Sequence, residues 1–279
     1  MKLEPLHKVS KVILPCAGLA KRLRPLTNRI PKALVRLHGE PLLAYMLREA
    51  EASGIREAIV VVSPQHTKHF KKYLASPAGD FPGIKKIHLR IQRKPLGDGH
   101  AVLQAADLIS RQEPVAVRFS DDLIVSDVPV LIPLIAWYAR TRAPVLLLER
   151  VPRAQVTRYG IVEVGKAERS IAGGGRTYCL KSFVEKPAID EAPSLLAVMG
   201  GYILSPRFLA ELARTGKHLR EERHDALRLA DVFRAMLLRG DPVYGYEFKG
   251  KKLDCGSLEG FARAERFLRR RSAHHPRFH

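Results

Sequence analysis

From Val12 to Leu148, short apolar runs alternate with segments whose apolar residues recur at helical spacing, and this limits the architecture more than any other feature of the chain. Residues 12–14, 58–62, 115–119 and 145–148 read as buried strands, and residues 87–91 alternate as a strand. The run 58–62 is continuous, as a strand covered on both faces of a parallel sheet must be. Between them, residues 41–53 carry Pro at the start and Gly54 after the end, the usual punctuation of a helix. Residues 65–74, 99–109 and 128–142 are also predicted helical, the last with a bend at Pro133. Strands and helices in this order predict βαβ units and a doubly wound, mostly parallel, Rossmann-like α/β sheet.

Beyond Pro152 the pattern changes. Residues 159–164, 178–184 and 196–204 read as strands separated by turns such as Gly173-Gly174-Gly175, which predicts a mixed-sheet lobe packed against the first. Helices over 206–215 and 226–239 precede a strand at 243–248. An amphipathic helix from Leu258 closes the chain, its stripe of Leu258, Phe261 and Leu268 suited either to self-association in a homo-oligomer or to packing on its own core. The expected division is a first half to about residue 127, a second from 128 to 257, the closing helix over 258–268 and a basic tail over 269–279.

Open parallel sheets bind ligands at the carboxyl ends of their strands. Three segments fall there: the loop after residues 12–14, residues 92–99, and Ser120-Asp121-Asp122. The first holds Ala17, Gly18, Lys21, Arg22, Arg24, Arg29 and Lys32. A glycine lets a backbone approach an anion, and cations at this density spread the charge of a triphosphate over several donors. The bland reading is a solvated basic loop in an Arg-rich chain, and Lys32 alone is a surface lysine after a proline.

Lys and Arg number 48 against 28 Asp and Glu, a net charge of +20. That sign suits nucleic acid, acidic membranes and nucleotide phosphates alike. Only Arg269-Arg270-Arg271 forms a run, and no aromatic residues interleave with the cations as a single-strand platform requires, so nucleic acid is not expected as a partner. Cys16, Cys179 and Cys255 have neither metal-ligand spacing nor a disulfide framework. The apolar stretch after Lys8 and Lys11 is too short for a secretory signal, and no segment approaches the roughly 20 apolar residues of a membrane span. A cytoplasmic protein with no membrane association is expected.

Motifs in fixed order carry a resemblance across residues 12–261: A-G-L-x-x-R-L-x-P from Ala17, P-K at Pro31-Lys32, Q-x-x-x-x-G-x-G-H-A-V from Gln92, D-D at Asp121-Asp122, Y-G-I-V-E from Tyr159, V-E-K-P from Val184, A-P-S from Ala192 and L-D-C-G from Leu253. Together they resemble the sugar-1-phosphate nucleotidylyltransferases, and within them the bacterial UTP-glucose-1-phosphate uridylyltransferases. The resemblance implies that UTP and glucose 1-phosphate give UDP-glucose and pyrophosphate by in-line attack on the α-phosphate, with no protein nucleophile. By the same resemblance Arg22 holds the β- and γ-phosphates and Lys32 meets the α-phosphate, while Ala17, Gly18, Gln92 and Gly97 hold the nucleotide. Gly160, Glu185 and Lys186 take the sugar phosphate, and Asp121 and Asp254 hold Mg²⁺. A hard cation that keeps several waters uses one or two carboxylates, which suits this pair.

Departures from that pattern bear on substrate preference. Ala20-Lys21 stands where the family usually has Gly-Thr, Arg36 and Glu40 where Pro and Lys are usual, Leu195 in place of Asn, Gly201 in place of Arg and Ala226 in place of Glu. The other readings are a thymidylyltransferase, a uridylyltransferase for another hexose 1-phosphate, and a catalytically weak nucleotide-sugar-binding regulatory homologue.

Overall fold

Val12 and Leu14 belong to one apolar core and Ile13 to a second, so the first strand is covered on both faces. Ala58, Val60 and Val62 likewise join the first core while Ile59 and Val61 join the second, which is why that run shows no polar alternation. The structure, a computed structural model, describes residues 8–18, 20–169, 172–221 and 226–274. Its strands are β1 (Lys11–Pro15), the short hairpin of β2 (Arg36–Leu37) and β3 (Glu40–Pro41), β4 (Glu57–Val62), β5 (Lys86–Ile91), β6 (Val115–Arg118) and β7 (Asp122–Val125). They continue as β8 (Val145–Arg150), β9 (Gly160–Arg169), β10 (Arg176–Glu185), β11 (Leu196–Leu204), β12 (Tyr244–Glu247) and β13 (Lys251–Asp254). The helices are α1 (Leu42–Ala52), α2 (Thr67–Leu74), α3 (Asp98–Leu103), α4 (Leu131–Thr141), α5 (Pro206–Glu221), α6 (Leu229–Leu238) and α7 (Leu258–His274).

Nine strands form one sheet in the order β5-β4-β1-β6-β11-β8-β12-β10-β9. The first four are parallel. From β6 onward only β12 and β8 run parallel, the other pairings being antiparallel. The mixed half is thus joined edge to edge to the parallel half through β6 and β11, and Ala197 of β11 also pairs with Ile161 of β9, so the mixed half curls back on itself. Helices α1, α4 and α7 contribute to the first core and α3, α5 and α6 to the second, the two-sided cover expected of a doubly wound Rossmann-like sheet.

Several boundaries move for physical reasons. Helix α3 stops at Leu103 and the rest of residues 99–109 holds a separate 3-10 turn, Ala106–Leu108. Helix α4 starts at Leu131, which puts Pro133 in its first turn, where no intrahelical N–H is needed. Helix α7 continues through Arg269, whose Nε donates to Glu265 Oε1 at 3.1 Å, so the basic run is helical as far as His274. Residues 275–279 of the expected tail lie outside the described residues. Phe261, Ala264 and Leu268 of α7 are buried in the chain's own core. Among the described residues no helix is long and apolar enough to cross a membrane.

The two-strand sheet of β7 and β13 was not legible in the sequence. It sets Asp122 opposite Asp254 and Leu123 opposite Leu253. Beside it, the fully buried Arg118 binds both oxygens of Glu49, at 2.8 and 3.0 Å, and donates to the carbonyls of Gly200 and Asp122. Replacing Arg118 by Met strands a buried carboxylate, and the expected loss is about 3–5 kcal/mol of unfolding free energy, most of it recovered when Glu49→Gln is added. Urea unfolding of the two variants checks this; equal losses in both would refute it.

Candidate active site

The carboxyl ends of the parallel strands open onto a cleft of about 470 Å³ lined by Ala17, Gly18, Lys21, Arg22, Lys32, Gln92 and Gly97, with Asp121, whereas Arg24 and Arg29 of the same loop lie outside its lining. Backbone bonds hold its floor, Cys16 N–H to the carbonyl of Val61 and Gln92 N–H to that of Val62. A second cleft of about 410 Å³ opens over the mixed half, with Gly160 and Glu185 in its wall. Asp98, Phe119 and Asp121 belong to both clefts, which therefore meet at the end of β6.

At that junction Lys32 Nζ lies 3.0 Å from Asp121 Oδ2. Burial pushes the Asp121 carboxyl up, but Lys32 and, more weakly, Arg22 outweigh it and hold the group below the usual carboxylate range. Asp254 arrives by β13: the carbonyl of Asp121 accepts the N–H of Cys255 at 2.9 Å. Arg22, Asp121 and Asp254 converge on Gly256, where a Cβ would stand 3.2 Å from Asp254 Oδ1, 3.4 Å from Arg22 Nη2 and 3.6 Å from Asp121 Cβ.

The two carboxylates fit a hard divalent cation. Asp254 Oδ1 accepts the N–H of Gly256 and Oδ2 the hydroxyl of Ser257, each at 2.8 Å, so the group is oriented while each oxygen keeps a further lone pair. Among the described residues no three His, Cys, Asp or Glu side chains gather as a metal cage. Two protein oxygens supplemented by phosphate and water are the usual provision for Mg²⁺.

Gln92 is buried; its Nε2 donates to the carbonyl of Gly97 at 2.9 Å and lies 3.0 Å from His100 Nδ1. Gly97 has φ +95, and a Cβ there would stand 2.3 Å from the carbonyl oxygen of Leu227. Asp98, which the sequence did not single out, bonds the N–H of Gly99 and of Leu229, at 2.7 and 3.0 Å, and so ties this loop to the start of α6. Its burial raises its carboxyl against the lowering effect of those N–H donors. An Asp immediately before a helical run is an N-terminal signal that could have found it.

On the second side a Cβ at Gly160 would stand 2.4 Å from the Phe183 ring and 3.1 Å from Glu185 Oε2, so glycine is what lets Glu185 reach the cleft wall. Lys186 does not line either cleft; its backbone has φ +49, its side chain is 62% exposed and its Nζ is 3.8 Å from Glu185 Oε1. Asp254 also stands behind the wall, with Gly256 in front of it. One further side chain went unread: Lys252, buried beside Asp122, whose Oδ2 accepts the N–H of Gly200. Nothing in K-K-L-D separates Lys252 from the exposed Lys251.

The chain matches the nucleotidyl transferase family over residues 11–271. It is 33% identical to UTP-glucose-1-phosphate uridylyltransferase 2 of Staphylococcus saprophyticus, over 92% of this chain and 91% of that protein. With the UTP-glucose-1-phosphate uridylyltransferase of Bacillus subtilis the identity is 31%, over 92% and 89%. The crystal structure of a UDP-glucose pyrophosphorylase complexed with UDP-glucose superposes with a TM-score of 0.82 at 30% identity, covering 94% of this chain and 99% of that one. A UTP-bound enzyme of the same description from Acinetobacter baumannii gives 0.79 at 29% identity, covering 93% of each.

Gly97→Ala is expected to cost about 1–3 kcal/mol from its backbone conformation alone and to displace the loop from Leu227, read as a lower urea midpoint and weaker binding of nucleotide. Cys16 and Cys255 are buried and their thiols are pushed up to about 12 chiefly by that burial, whereas Cys179 is exposed. At pH 8 a thiol reagent should therefore label one cysteine per folded chain, Cys179, and mass spectrometry showing fast modification of Cys16 would contradict this.

Proposed function

The chain belongs to the nucleotidyl transferase family, and we propose that it forms UDP-glucose and pyrophosphate from UTP and glucose 1-phosphate. The observation that carries this reading is the meeting of the two clefts at Asp121, with Lys32 at 3.0 Å from it. A donor nucleotide in the first cleft and a sugar phosphate in the second would bring an attacking oxygen to an α-phosphate at that junction. Positioning and charge neutralisation then supply the catalysis.

On this reading Arg22 binds the β- and γ-phosphates and supports the departing pyrophosphate, while Lys32 neutralises the charge that develops on the α-phosphate. Lys32 is already in the cleft, held by Asp121, so it moves little to meet its phosphate. Gln92, whose Nε2 donates to the Gly97 carbonyl and faces His100 Nδ1, turns its Oε1 to accept the N–H of the pyrimidine edge. Ala17 and Gly18 supply backbone against the nucleotide. Gly160 and Glu185 face the pyranose, and the exposed Lys186 turns in to the sugar phosphate. Asp121 and Asp254 hold Mg²⁺, which when bound neutralises phosphate charge and orients the triphosphate.

The division at about residue 127 has the same support. The first cleft draws its lining from residues 15–121 and Gly256, the second mostly from residues 119–233. A cytoplasmic location suits substrates that are charged nucleotides and a chain whose three cysteines are free.

Pyrophosphate release with Mg²⁺, crossing UTP and dTTP with glucose 1-phosphate and other hexose 1-phosphates, tests the assignment. Release selective for UTP with glucose 1-phosphate is expected; silence with every pair, in a chain that UDP-glucose still stabilises, would favour the regulatory homologue. Lys32→Ala is expected to lower turnover about 100-fold or more with the thermal midpoint little changed. Asp254→Ala should abolish activity at every Mg²⁺ concentration, and normal turnover in either variant would remove that residue from the mechanism.

A further inference from the structure

Behind the wall of the second cleft lies a buried ammonium. The Lys252 side chain is 8% exposed, and its Nζ stands 3.2 Å from Glu149 Oε2 and 3.6 Å from Asp122 Oδ1. It also lies 3.4 Å from the Tyr159 hydroxyl, 3.1 Å from Met199 Sδ and 4.6 Å from the centre of the Tyr159 ring. Asp122, Tyr159 and Met199 all face the cleft, whereas Lys252 and Glu149 do not. Lys252 therefore touches three parts of the cleft wall from the rear.

Those parts come from separate elements. Asp122 opens β7, and its Oδ2 accepts the N–H of Gly200, a cleft residue of β11, at 2.8 Å. Tyr159 precedes Gly160, and its carbonyl accepts the N–H of Lys186 at 3.0 Å. Glu149 anchors the ammonium to β8. A lysine has three N–H donors on a flexible stem, which suits it to joining several elements at one point. Apolar side chains would fill the space at no desolvation cost, and buried charges are often less stable than such a replacement. The arrangement is one of direction, not of packing.

We propose that Lys252, with Asp122 and Glu149, forms a positioning set in which the ammonium fixes the wall of the second cleft and thereby the affinity for the hexose 1-phosphate, without itself touching substrate. The proposal rests on the uridylyltransferase reading. It assigns the set to the sugar side alone, because Asp122, Tyr159 and Met199, which the ammonium touches, line the second cleft and are absent from the lining of the first.

Lys252→Met alone would leave two carboxylates without their cation. The test therefore pairs Lys252→Met with Glu149→Gln, which leaves the net charge of the set unchanged, and compares it with Lys252→Arg. KM for glucose 1-phosphate is expected to rise about tenfold in the double variant, with KM for UTP within about twofold of wild type, and Lys252→Arg to give a smaller rise in the same constant. A double variant that folds with an unchanged KM for glucose 1-phosphate overturns the proposal. If it does not fold, an unchanged KM in Lys252→Arg does so. Should the wild-type chain make no nucleotide sugar, the catalytic reading fails, and calorimetric titration of the same proteins with UDP-glucose decides this one. Weaker binding by the variants supports it, equal binding overturns it, and no binding by the wild type overturns both.

Discussion

A cleft shaped for a polyanion has to exist without one, and the Lys32–Asp121 pair is what permits it. Lys21, Arg22 and Lys32 line one cleft, and their mutual repulsion would open it in the free protein. Asp121, 3.0 Å from Lys32, supplies the missing negative charge. The same carboxylate is then where a cation-binding group is needed once phosphate arrives. On the proposed reading Lys32 would exchange a carboxylate for a phosphate while Asp121 exchanged an ammonium for a metal cation, so neither charge would be stranded on the way. The rest of the molecule fixes Asp121. Its carbonyl is bonded by Cys255, and its neighbour Asp122 is tied to Gly200 and Arg118.

The departures from the family pattern have physical readings in the same region. Ala20 sits at φ 45 and ψ 38, the left-handed conformation that glycine adopts without cost, and so bears the strain of a Cβ. Lys21 then adds a cation to the wall of the phosphate cleft. Gly201, where the family has Arg, is the cross-strand partner of Arg118, and a Cβ at 201 would be 3.5 Å from Arg118 Cδ. Leu195 packs on the first core, and its carbonyl accepts the N–H of Val151. For Arg36, Glu40 and Ala226 the structure offers no comparable account.

What the sequence disclosed was whatever depends on local pattern. Runs such as Ala58–Val62 are covered on both sides by the chain itself, so their composition alone declares a buried parallel strand. The loops at their carboxyl ends follow from that, whereas the roles of Arg22, Lys32 and Gln92 within them came from the resemblance of the ordered motifs to a family. Pairings between distant segments were not legible. Four residues of β7 and four of β13 carry no periodicity that separates them from loop, and each is a strand only because the other lies beside it. Lys252 was missed for that reason: one lysine of a pair looks solvated until the register sets it beside Asp122. Lys186 shows the converse, a motif residue whose backbone, at φ +49, leaves the strand direction that alternation assumed for it.

Cys16 offers a final constraint on mechanism. It lines the nucleotide-side cleft, where a thiolate could in principle attack phosphorus and carry the nucleotidyl group. Burial drives its thiol up to about 12, and Asp121 works in the same direction against the partial relief from Lys32. At neutral pH the protonated thiol is therefore the favoured form at this position. Cys255, the other cysteine near Asp121 and Asp254, is raised to about 12 as well. The cations that activate thiols in other proteins are here committed to a carboxylate. The two clefts gain their purpose from being adjacent: transfer between ligands that lie side by side needs an oriented oxygen and neutralised phosphates, with no covalent stop on the protein.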